Sequence, residues 1–558
     1  PAGGRPRGAA VSAFGVSGTN AHVILEAPAG EPVPPPGPAP AVVAVPVSGR
    51  GPAGLRAQAR RLAEHLDAHP EQDLADVAWS LAATRAALPD RAVVVGRDRA
   101  VVREQLLDLA GAAPLAGPAR PGGRVAFVFP GQGSQWAGMA VDLLDSEPVF
   151  AASIARCEEA FAPLADWSLT AVLRAAGPLE RVDVVQPVLF AVMVSLAELW
   201  RSRGVEPDVV VGHSQGEIAA ACVAGVLSLE DAARVVLLRS QSLAVLAGQG
   251  GMASVALPEP EVTDRIAPWA GRLGVATVNG PAAVVVSGEV AALEEFMAAC
   301  AADGVRVRRV DVDYASHGVQ VEAIHDRLLE VLAPVAPRTG TIEMHSTVGA
   351  DLTGVEFAGA EYWYRNLRHT VRFADAVRTL AGRGVTEFVE VSPHPVLTVG
   401  IQDTLDELGG EGFVTGTLRR DDGGTDRFLA SLGALWCHGA DVDWAAVLGA
   451  GRRTVDLPTY AFQRQRYWLE APLLDERATA AADALDGEFW TAVEQADADG
   501  LAGVLSAEPA AVAAVLPALR TWHEQRAIRG QVDGWRYRVR WDVLPAAPAS
   551  RPGGLWLV

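Results

Sequence analysis

Lysine is missing from all 558 residues, so each of the 47 basic positions is an arginine. That excludes a Schiff-base lysine and a P-loop lysine from this chain. Cysteine is scarce and scattered: Cys157, Cys222, Cys300 and Cys437, with no C-x-x-C pair. Neither a disulfide framework nor a zinc site is expected, and the four read as small core residues. No run of about 18 uninterrupted apolar residues occurs, and no charged stretch leads into an apolar one near residue 1. The expectation is a cytoplasmic protein with no membrane partner. Base is also short relative to acid, 47 against 67, for a net charge of −20. A surface of that sign argues against nucleic acid as a partner.

Half of the residues are apolar, and the length suits roughly three or four domains. Residues 1–30 read as the end of a domain, with Ser12–Glu26 a Gly-rich turn feeding a short strand. The run Pro32, Pro34, Pro35, Pro36, Pro38 and Pro40 is an extended spacer. Residues 31–120 hold a small α/β unit, with strands at Ala41–Val47 and Arg91–Val95 and helical spacing at Leu55–Leu66, Leu74–Ala83 and Val101–Leu109. A Gly/Pro-rich boundary, Ala116–Gly123, precedes a larger domain over 124–410. Within it, 252–312 has the order β-α-β-β-α-β, that of an inserted ferredoxin-like subdomain. Such an insertion makes a cleft between two lobes, a usual place for a ligand. The large lobe resumes at about 345 and ends near Val389–Pro395. Residues 411–470 are mixed and end in Leu457–Trp468, whose aromatics and arginines suit an extended segment packed on a neighbour. Two helical patterns in 471–558 lead to strand-like Trp535–Val543 and Leu555–Val558, which reads as a truncation. The fold class is α/β: a large α/β-hydrolase-like lobe with a parallel sheet, an inserted ferredoxin-like subdomain, and a small α/β domain before them.

The segment Val209–Glu217 carries the clearest chemical signal. A β-branched run stops at Gly212, Ser214 follows, and Gly216 comes next, giving the G-x-S-x-G nucleophile elbow. The glycines remove Cβ atoms where backbones crowd, so the serine hydroxyl can stand clear of a sheet. Glu217–Ala224 reads as a helix whose N-terminus aims backbone N–H groups at an oxyanion. The competing reading is a tight βα turn with a capping serine.

A nucleophilic serine needs a base. His317, in Val310–Gly318, follows the last strand of the inserted lobe where the chain returns to the cleft; a structural histidine is the alternative. Gln132, in the Gly131–Gly133 turn after the strand Val125–Phe129, can reach the same end of the sheet. It either anchors an oxyanion loop or has no role. Arg239 sits in a helix among apolar residues and needs an anion, since burying it unpaired is costly. That anion is either a nearby Asp or Glu or a substrate carboxylate gripped bidentately.

Four motifs in order, Phe127–Trp136, Gly212–Glu217, Leu238–Ser240 and Tyr314–His317, resemble the acyltransferase domain of modular type I polyketide synthases. The likeness extends outward. Gly18–Glu26 is similar to the C-terminal end of a ketosynthase, 31–120 to the ketosynthase–acyltransferase linker, 411–470 to the post-acyltransferase linker, and 471–558 to the opening of a ketoreductase structural half. The resemblance implies Ser214 as nucleophile, His317 as base without an Asp third member, and Gln132 with the Gln215 backbone N–H as oxyanion hole. It implies that Arg239 binds the free carboxylate of a malonyl-type unit. The unit would pass from a coenzyme A thioester to Ser214 and then to the phosphopantetheine thiol of an acyl carrier protein, with no metal and no cofactor of the acyltransferase's own. Other domains of the same module are implied partners. In this family Tyr-Ala-Ser-His accompanies methylmalonyl units, so Tyr314, Ser316 and Gln215 imply a methylmalonyl extender, with malonyl as the alternative; Arg181–Pro187 resembles the same group. His22 matches a ketosynthase catalytic histidine, but no ketosynthase cysteine motif, phosphopantetheine-bearing domain or complete G-x-G-x-x-G unit accompanies it, so it is expected to be inactive here.

Two rival functions share features with this reading. An α/β serine hydrolase shares the elbow but calls for an Asp or Glu partner and no buried arginine facing the acyl chain. A docking scaffold would have no chemistry at Ser214. Carrier-protein docking on an acidic chain needs a local basic patch, and Arg365, Arg368 and Arg372 are candidates beside the plain reading of a solvated helix face.

Overall fold

The computed structural model describes residues 8–16, 18–26, 40–111, 115–120, 122–349, 357–466 and 486–535. The Pro-rich run up to Pro38, Tyr467 and Trp468, and the strand-like stretches after Trp535 lie outside them. The chain divides into two compact units, Pro1–Gln463 and Arg464–Val558.

The first unit begins with an antiparallel hairpin of β1 (Gly8–Phe14) and β2 (Asn20–Glu26), exposed along both strands. A second antiparallel pair, β3 (Val43–Gly49) and β4 (Asp90–Gly96), packs with helices Gly51–Ala68, Leu74–Thr84 and Arg99–Ala110. Two of these helices start at aspartate caps: Asp73 accepts from Ala75 N (2.9 Å) and Asp98 from Val101 N (2.9 Å), each pairing a free helix-end donor. The segment Leu457–Ala461 lies along this domain. Arg61 donates to Thr459 O (2.7 Å), Ala461 N donates to Gln58 (2.7 Å), and Arg50 N donates to the Tyr460 hydroxyl (2.8 Å).

The large lobe is laid down by β5 (Arg124–Phe129) and β6 (Val209–Gly212). The chain then forms the insert from β7 (Gly251–Val255), β8 (Leu273–Gly280), β9 (Ala283–Gly288) and β10 (Val307–Arg309), an antiparallel sheet ordered β10-β7-β9-β8. The lobe resumes with β11 (Glu343–His345), β12 (Val385–Glu390) and β13 (Phe413–Gly416). Its five strands are all parallel, ordered β11-β6-β5-β12-β13. Strands covered on both faces need unbroken apolar runs, and Val125–Phe129 and Val209–Val211 supply them, all buried. The helix Val182–Arg201 is long and apolar enough to cross a bilayer, yet 83% of its apolar 18-residue stretch is buried inside the fold, so it is a core helix. The α/β class, the parallel sheet and the inserted antiparallel subdomain agree with the sequence.

The insert has two unlike faces. Ala253, Val255, Val284 and Val286 pack under helices Glu259–Ile266 and Val290–Ala302. Alternation puts Met252, Thr277 and Val285 on the other side, toward the large lobe. Its last strand is shorter than the periodicity of Val305–Val312 predicts: only Val307–Arg309 is regular. A bond from Val312 N to Val310 O (2.8 Å) turns the chain there. Buried cysteines behave as core: burial pushes the Cys157 and Cys437 thiols up to about 12.

In the second unit, residues 486–494 are helical, followed by helices Ala498–Leu505 and Pro509–Gly534 around Val493, Leu501, Val512 and Leu516.

The elbow crosses directly beneath β5. A Cβ on Gly216 would lie 2.0 Å from Phe129 O and 2.5 Å from Pro130 O, both backbone atoms that cannot swing away. Gly216→Ala is therefore expected to destabilise the first unit by ~3 kcal/mol or more, measured by urea unfolding. Gly177→Ala, with nothing within 4 Å of its Cβ, should stay within ~0.5 kcal/mol.

Candidate active site

Ser214 follows β6 at the carboxyl end of the parallel sheet, beside the turn after β5 that carries Gln132. Such ends are where ligands collect in open α/β sheets. Its backbone is left-handed, φ +55°, and so is that of His317, φ +59°. Non-glycine residues rarely adopt this region, and each costs on the order of 1–3 kcal/mol. Both strained residues meet: Ser214 Oγ lies 2.8 Å from His317 Nε2.

The histidine is oriented by backbone. His317 Nδ1 bonds the His369 carbonyl (2.9 Å), and His317 N donates to Leu367 O (2.8 Å). A carbonyl can only accept, so Nδ1 carries the proton and the bare Nε2 faces the serine. Burial, then the neighbouring Arg239 charge and His213, push the His317 pKa down to about 3. The imidazole is thus neutral and ready to take a proton from Ser214.

Behind the serine, Gly216 N donates to His213 O (2.9 Å) and Glu217 N to Ser214 O (3.1 Å). The N–H of Gln215, at the N-cap of helix Gly216–Val223, is left unpaired by the helix. The Gln215 side chain is only 1% exposed and both of its amide atoms lack partners. The elbow is braced by Glu217, buried at the first turn. It accepts from Thr347 N (2.6 Å) and from the Thr347 and Tyr362 hydroxyls; burial raises its carboxyl above the ordinary value.

Arg239, in helix Leu229–Leu243, is fully buried. No carboxylate pairs with it among the described residues. Its Nη1 donates to Gln186 Oε1 (3.0 Å), its Nη2 to Asn366 Oδ1 (3.3 Å), and its Nε has no partner. Burial pushes its pKa down to about 10, so it remains a cation at neutral pH. Asn366 also donates to Ser214 O (3.2 Å), tying the arginine to the elbow. Tyr314 accepts from Gln186 (3.3 Å) and donates to Gln132 Oε1 (3.0 Å). Ser316 turns its hydroxyl to Met252 Sδ (3.4 Å).

All of Gln132, Ser214, Gln215, Arg239, Tyr314, Ser316 and His317 line one cavity of about 180 Å³. A larger cavity of about 640 Å³ shares Gln132, Val310, Val312 and Tyr314 with it. Of the other sequence candidates, His22 lies exposed on β2, its Nδ1 2.6 Å from Ser12 Oγ, and does not line the pocket. Arg368 pairs with Glu322 (2.8 Å), and Arg372 with Glu259 (2.5 Å) and Asp375 (2.8 Å), which leaves Arg365 of that trio. Sequence reasoning gave no role to Asn366, to the His369 carbonyl or to Gln186. Nothing in local pattern marks a backbone acceptor, and Gln186 stood only inside the Arg181–Pro187 motif.

A parallel α/β lobe with its serine on a strained elbow, a neutral imidazole against it and an uncompensated arginine in the same pocket defines an acyltransferase of α/β-hydrolase-like build. The chain belongs to the modular type I polyketide synthases, and its central part is their acyltransferase domain. The acyl transferase domain family matches 126–442, the ketoacyl-synthetase C-terminal extension 2–95, and the polyketide synthase dimerisation element 486–529. The last covers part of the stretch whose sequence resembled a ketoreductase opening. The strand-like segments at the end of that stretch lie outside the described residues. The chain is 53% identical to polyketide synthase GfsA of Streptomyces halstedii, covering 99% of this chain and 8% of the relative. It is 51% identical to erythronolide synthase EryA2 of Saccharopolyspora erythraea, covering 90% of this chain and 14% of the relative. It thus spans a small part of the curated relatives it matches. Among solved structures, the acyltransferase domain from module 8 of the salinomycin polyketide synthase is 56% identical with TM-score 0.70, over 73% of this chain and 99% of that one. The acyltransferase domain of SpnD, in complex with 2-(pent-4-yn-1-yl)malonyl, is 30% identical with TM-score 0.67, over 74% and 98%.

The depressed His317 pKa separates activity from stability in pH. In the fold the imidazole stays neutral down to about pH 3, while in the unfolded chain it gains a proton below about 6.5. Stability contributed by this residue is therefore present above about 6.5 and declines as pH falls toward 3. The acid limb of kcat/KM for serine acylation should lie below pH 5 instead of near 6.5, with the urea midpoint already falling there. Rapid-quench acylation and unfolding over the same pH series check both halves.

Proposed function

We propose that this domain loads a methylmalonyl extender unit from its coenzyme A thioester onto Ser214 and passes it to the phosphopantetheine thiol of an acyl carrier protein. The observation that carries this reading is Arg239: a buried cation held only by neutral amide oxygens, with an unpartnered Nε, in the cavity that contains the serine. Such a charge calls for an anionic ligand, and a guanidinium suits a carboxylate. Ser214 Oγ attacks the thioester carbonyl as His317 Nε2 takes its proton. The oxyanion that forms meets the Gln215 backbone N–H and the Gln132 amide. His317 returns the proton to the departing coenzyme A thiol, leaving the acyl group on Ser214 as an ester. The carrier thiol then attacks that ester by the same steps in reverse order of groups, which is ping-pong chemistry.

The choice of methylmalonyl over malonyl rests on Ser316. It is small, lines the cavity and turns its hydroxyl to Met252, which leaves room for an α-methyl. The likeness to a domain whose structure holds a substituted malonyl group supports a malonyl-type unit. Against the hydrolase reading stands the His369 carbonyl, which takes the place where an Asp or Glu would sit behind the histidine.

Intact-mass analysis after incubation with methylmalonyl-CoA should show one adduct, mapped to Ser214; no adduct there would sink the catalytic reading. Arg239→Ala should lower kcat/KM for methylmalonyl-CoA roughly a hundredfold and for propionyl-CoA, which lacks the carboxylate, by about tenfold at most. In a competition of malonyl-CoA against methylmalonyl-CoA, the unaltered domain should load methylmalonyl, and Ser316→Phe should shift the ratio toward malonyl by roughly tenfold or more.

A further inference from the structure

Gln186 has been given no role of its own, yet it is buried in the helix Val182–Arg201 between two groups of the site. Four residues form one hydrogen-bonded row: Arg239 Nη1 to Gln186 Oε1 (3.0 Å), Gln186 Nε2 to the Tyr314 hydroxyl (3.3 Å), and that hydroxyl to Gln132 Oε1 (3.0 Å). Every bond in the row has its direction forced from one end. A guanidinium has donors and no acceptor, so Gln186 must turn its oxygen to Arg239. Its amide nitrogen then faces Tyr314, whose oxygen accepts. The single phenolic proton is left for Gln132, whose oxygen takes it. The Gln132 NH₂ consequently cannot face Tyr314 and is free to donate elsewhere in the cavity that holds Ser214.

We propose that Gln186 is a positioning residue that relays the fixed polarity of Arg239 through Tyr314 to Gln132, locking the Gln132 amide with its donors available to the oxyanion. An isolated glutamine amide turns over readily, because its two ends are nearly alike in shape and the hydrogen-bond network alone decides which way it faces. The relay removes that freedom with three residues that never touch the reacting atoms at Gln132's end. Tyr314 thereby acts twice in the pocket. Its ring lines the cavity that receives the acyl group, and its hydroxyl sets the donor that meets the oxyanion. The tyrosine proton stays in place, since burial raises that hydroxyl to about 12.

The inference rests on the acyl-enzyme reading above, and the experiment keeps the two separable. Propionyl-CoA serves as the substrate, because it has no carboxylate and so does not report on Arg239's grip. Acylation of Ser214 is followed in the unaltered chain, Gln186→Leu, Tyr314→Phe and the double variant. A relay predicts that each single change lowers kcat about tenfold with little change in KM, less than the removal of an oxyanion donor costs. It predicts that the second change adds less than about twofold in the background of the first, since one broken link already frees Gln132. Additive losses, or a Tyr314→Phe kcat equal to that of the unaltered chain, would overturn the relay while Ser214 still acylates. Failure of the unaltered chain to acylate from methylmalonyl-CoA at all would instead remove the reading beneath it. Tyr314→Phe deletes one hydroxyl and keeps the ring, so it reports even if Gln186→Leu does not fold, and thermal midpoints identify that case. Gln186→Glu gives a second direction: its carboxylate would pair with Arg239 and draw the tyrosine proton toward itself. It should lower kcat for propionyl-CoA as Gln186→Leu does, whereas a residue that merely fills space would leave that kcat unchanged.

Discussion

The charge on Arg239 organises the pocket. A guanidinium removed from water without a counter-ion costs several kcal/mol, and the fold meets that cost only in part, with two amide oxygens and nothing at Nε. The surrounding groups answer to it. Asn366 holds the arginine with its oxygen and the Ser214 carbonyl with its nitrogen, so the buried cation and the elbow share one side chain. The same charge adds to burial in keeping His317 unprotonated. A pocket that is cationic and lined by buried side chains favours a neutral base and an anionic ligand together.

That constraint explains why a carbonyl, and not a carboxylate, stands behind the histidine. An Asp at the place of the His369 carbonyl would stabilise the imidazolium and raise the pKa of His317. It would also supply a second anion within the field of Arg239, weakening the pull on the carboxylate proposed to bind there. The carbonyl fixes the tautomer without adding charge. Here the oriented carbonyl keeps the base in the right tautomer while the cation remains available.

Much of this was legible in the chain because its signals are local. The elbow declares itself by two glycines around Ser214, and their necessity is steric: a Cβ at Gly212 would meet Glu217 N at 2.2 Å. The β-α-β-β-α-β order of the insert follows from periodicity, and Arg239 stood out as a cation among apolar neighbours. What stayed hidden depends on distant partners. The bonds of Asn366 to Arg239 and Ser214 span 127 and 152 positions, and no spacing rule connects them. The His369 carbonyl is a backbone group with no residue-type signal at all. Arg368 and Arg372 were candidates for a basic patch because Glu322 and Glu259 come from other elements; only Asp375, three residues after Arg372, lay within local reach. The last strand of the insert was overextended because Val310 and Val312 continue the β pattern. Their apolar side chains line the pocket, and the turn between them breaks the strand.

The two lobes divide the work. The serine, the elbow, Arg239 and Gln186 all belong to elements of the large lobe, around the end of the parallel sheet. The surface opposite them is the face of the insert turned toward the large lobe, Met252, Thr277 and Val285, with Ser316 on the segment that returns from it. In the proposed acyl-enzyme, with the acyl group on Ser214 and its carboxylate on Arg239, both ends would be held by the large lobe, so the α-substituent would point toward the insert. Substitutions on that face can change which substituent fits without moving the nucleophile, the base or the cation. Tyr314 is the exception: it stands on the returning segment, yet its hydroxyl is bonded to Gln186 and Gln132 of the large lobe. Changes at Tyr314 should therefore disturb turnover as well as choice, whereas changes at Met252 should act mainly on choice.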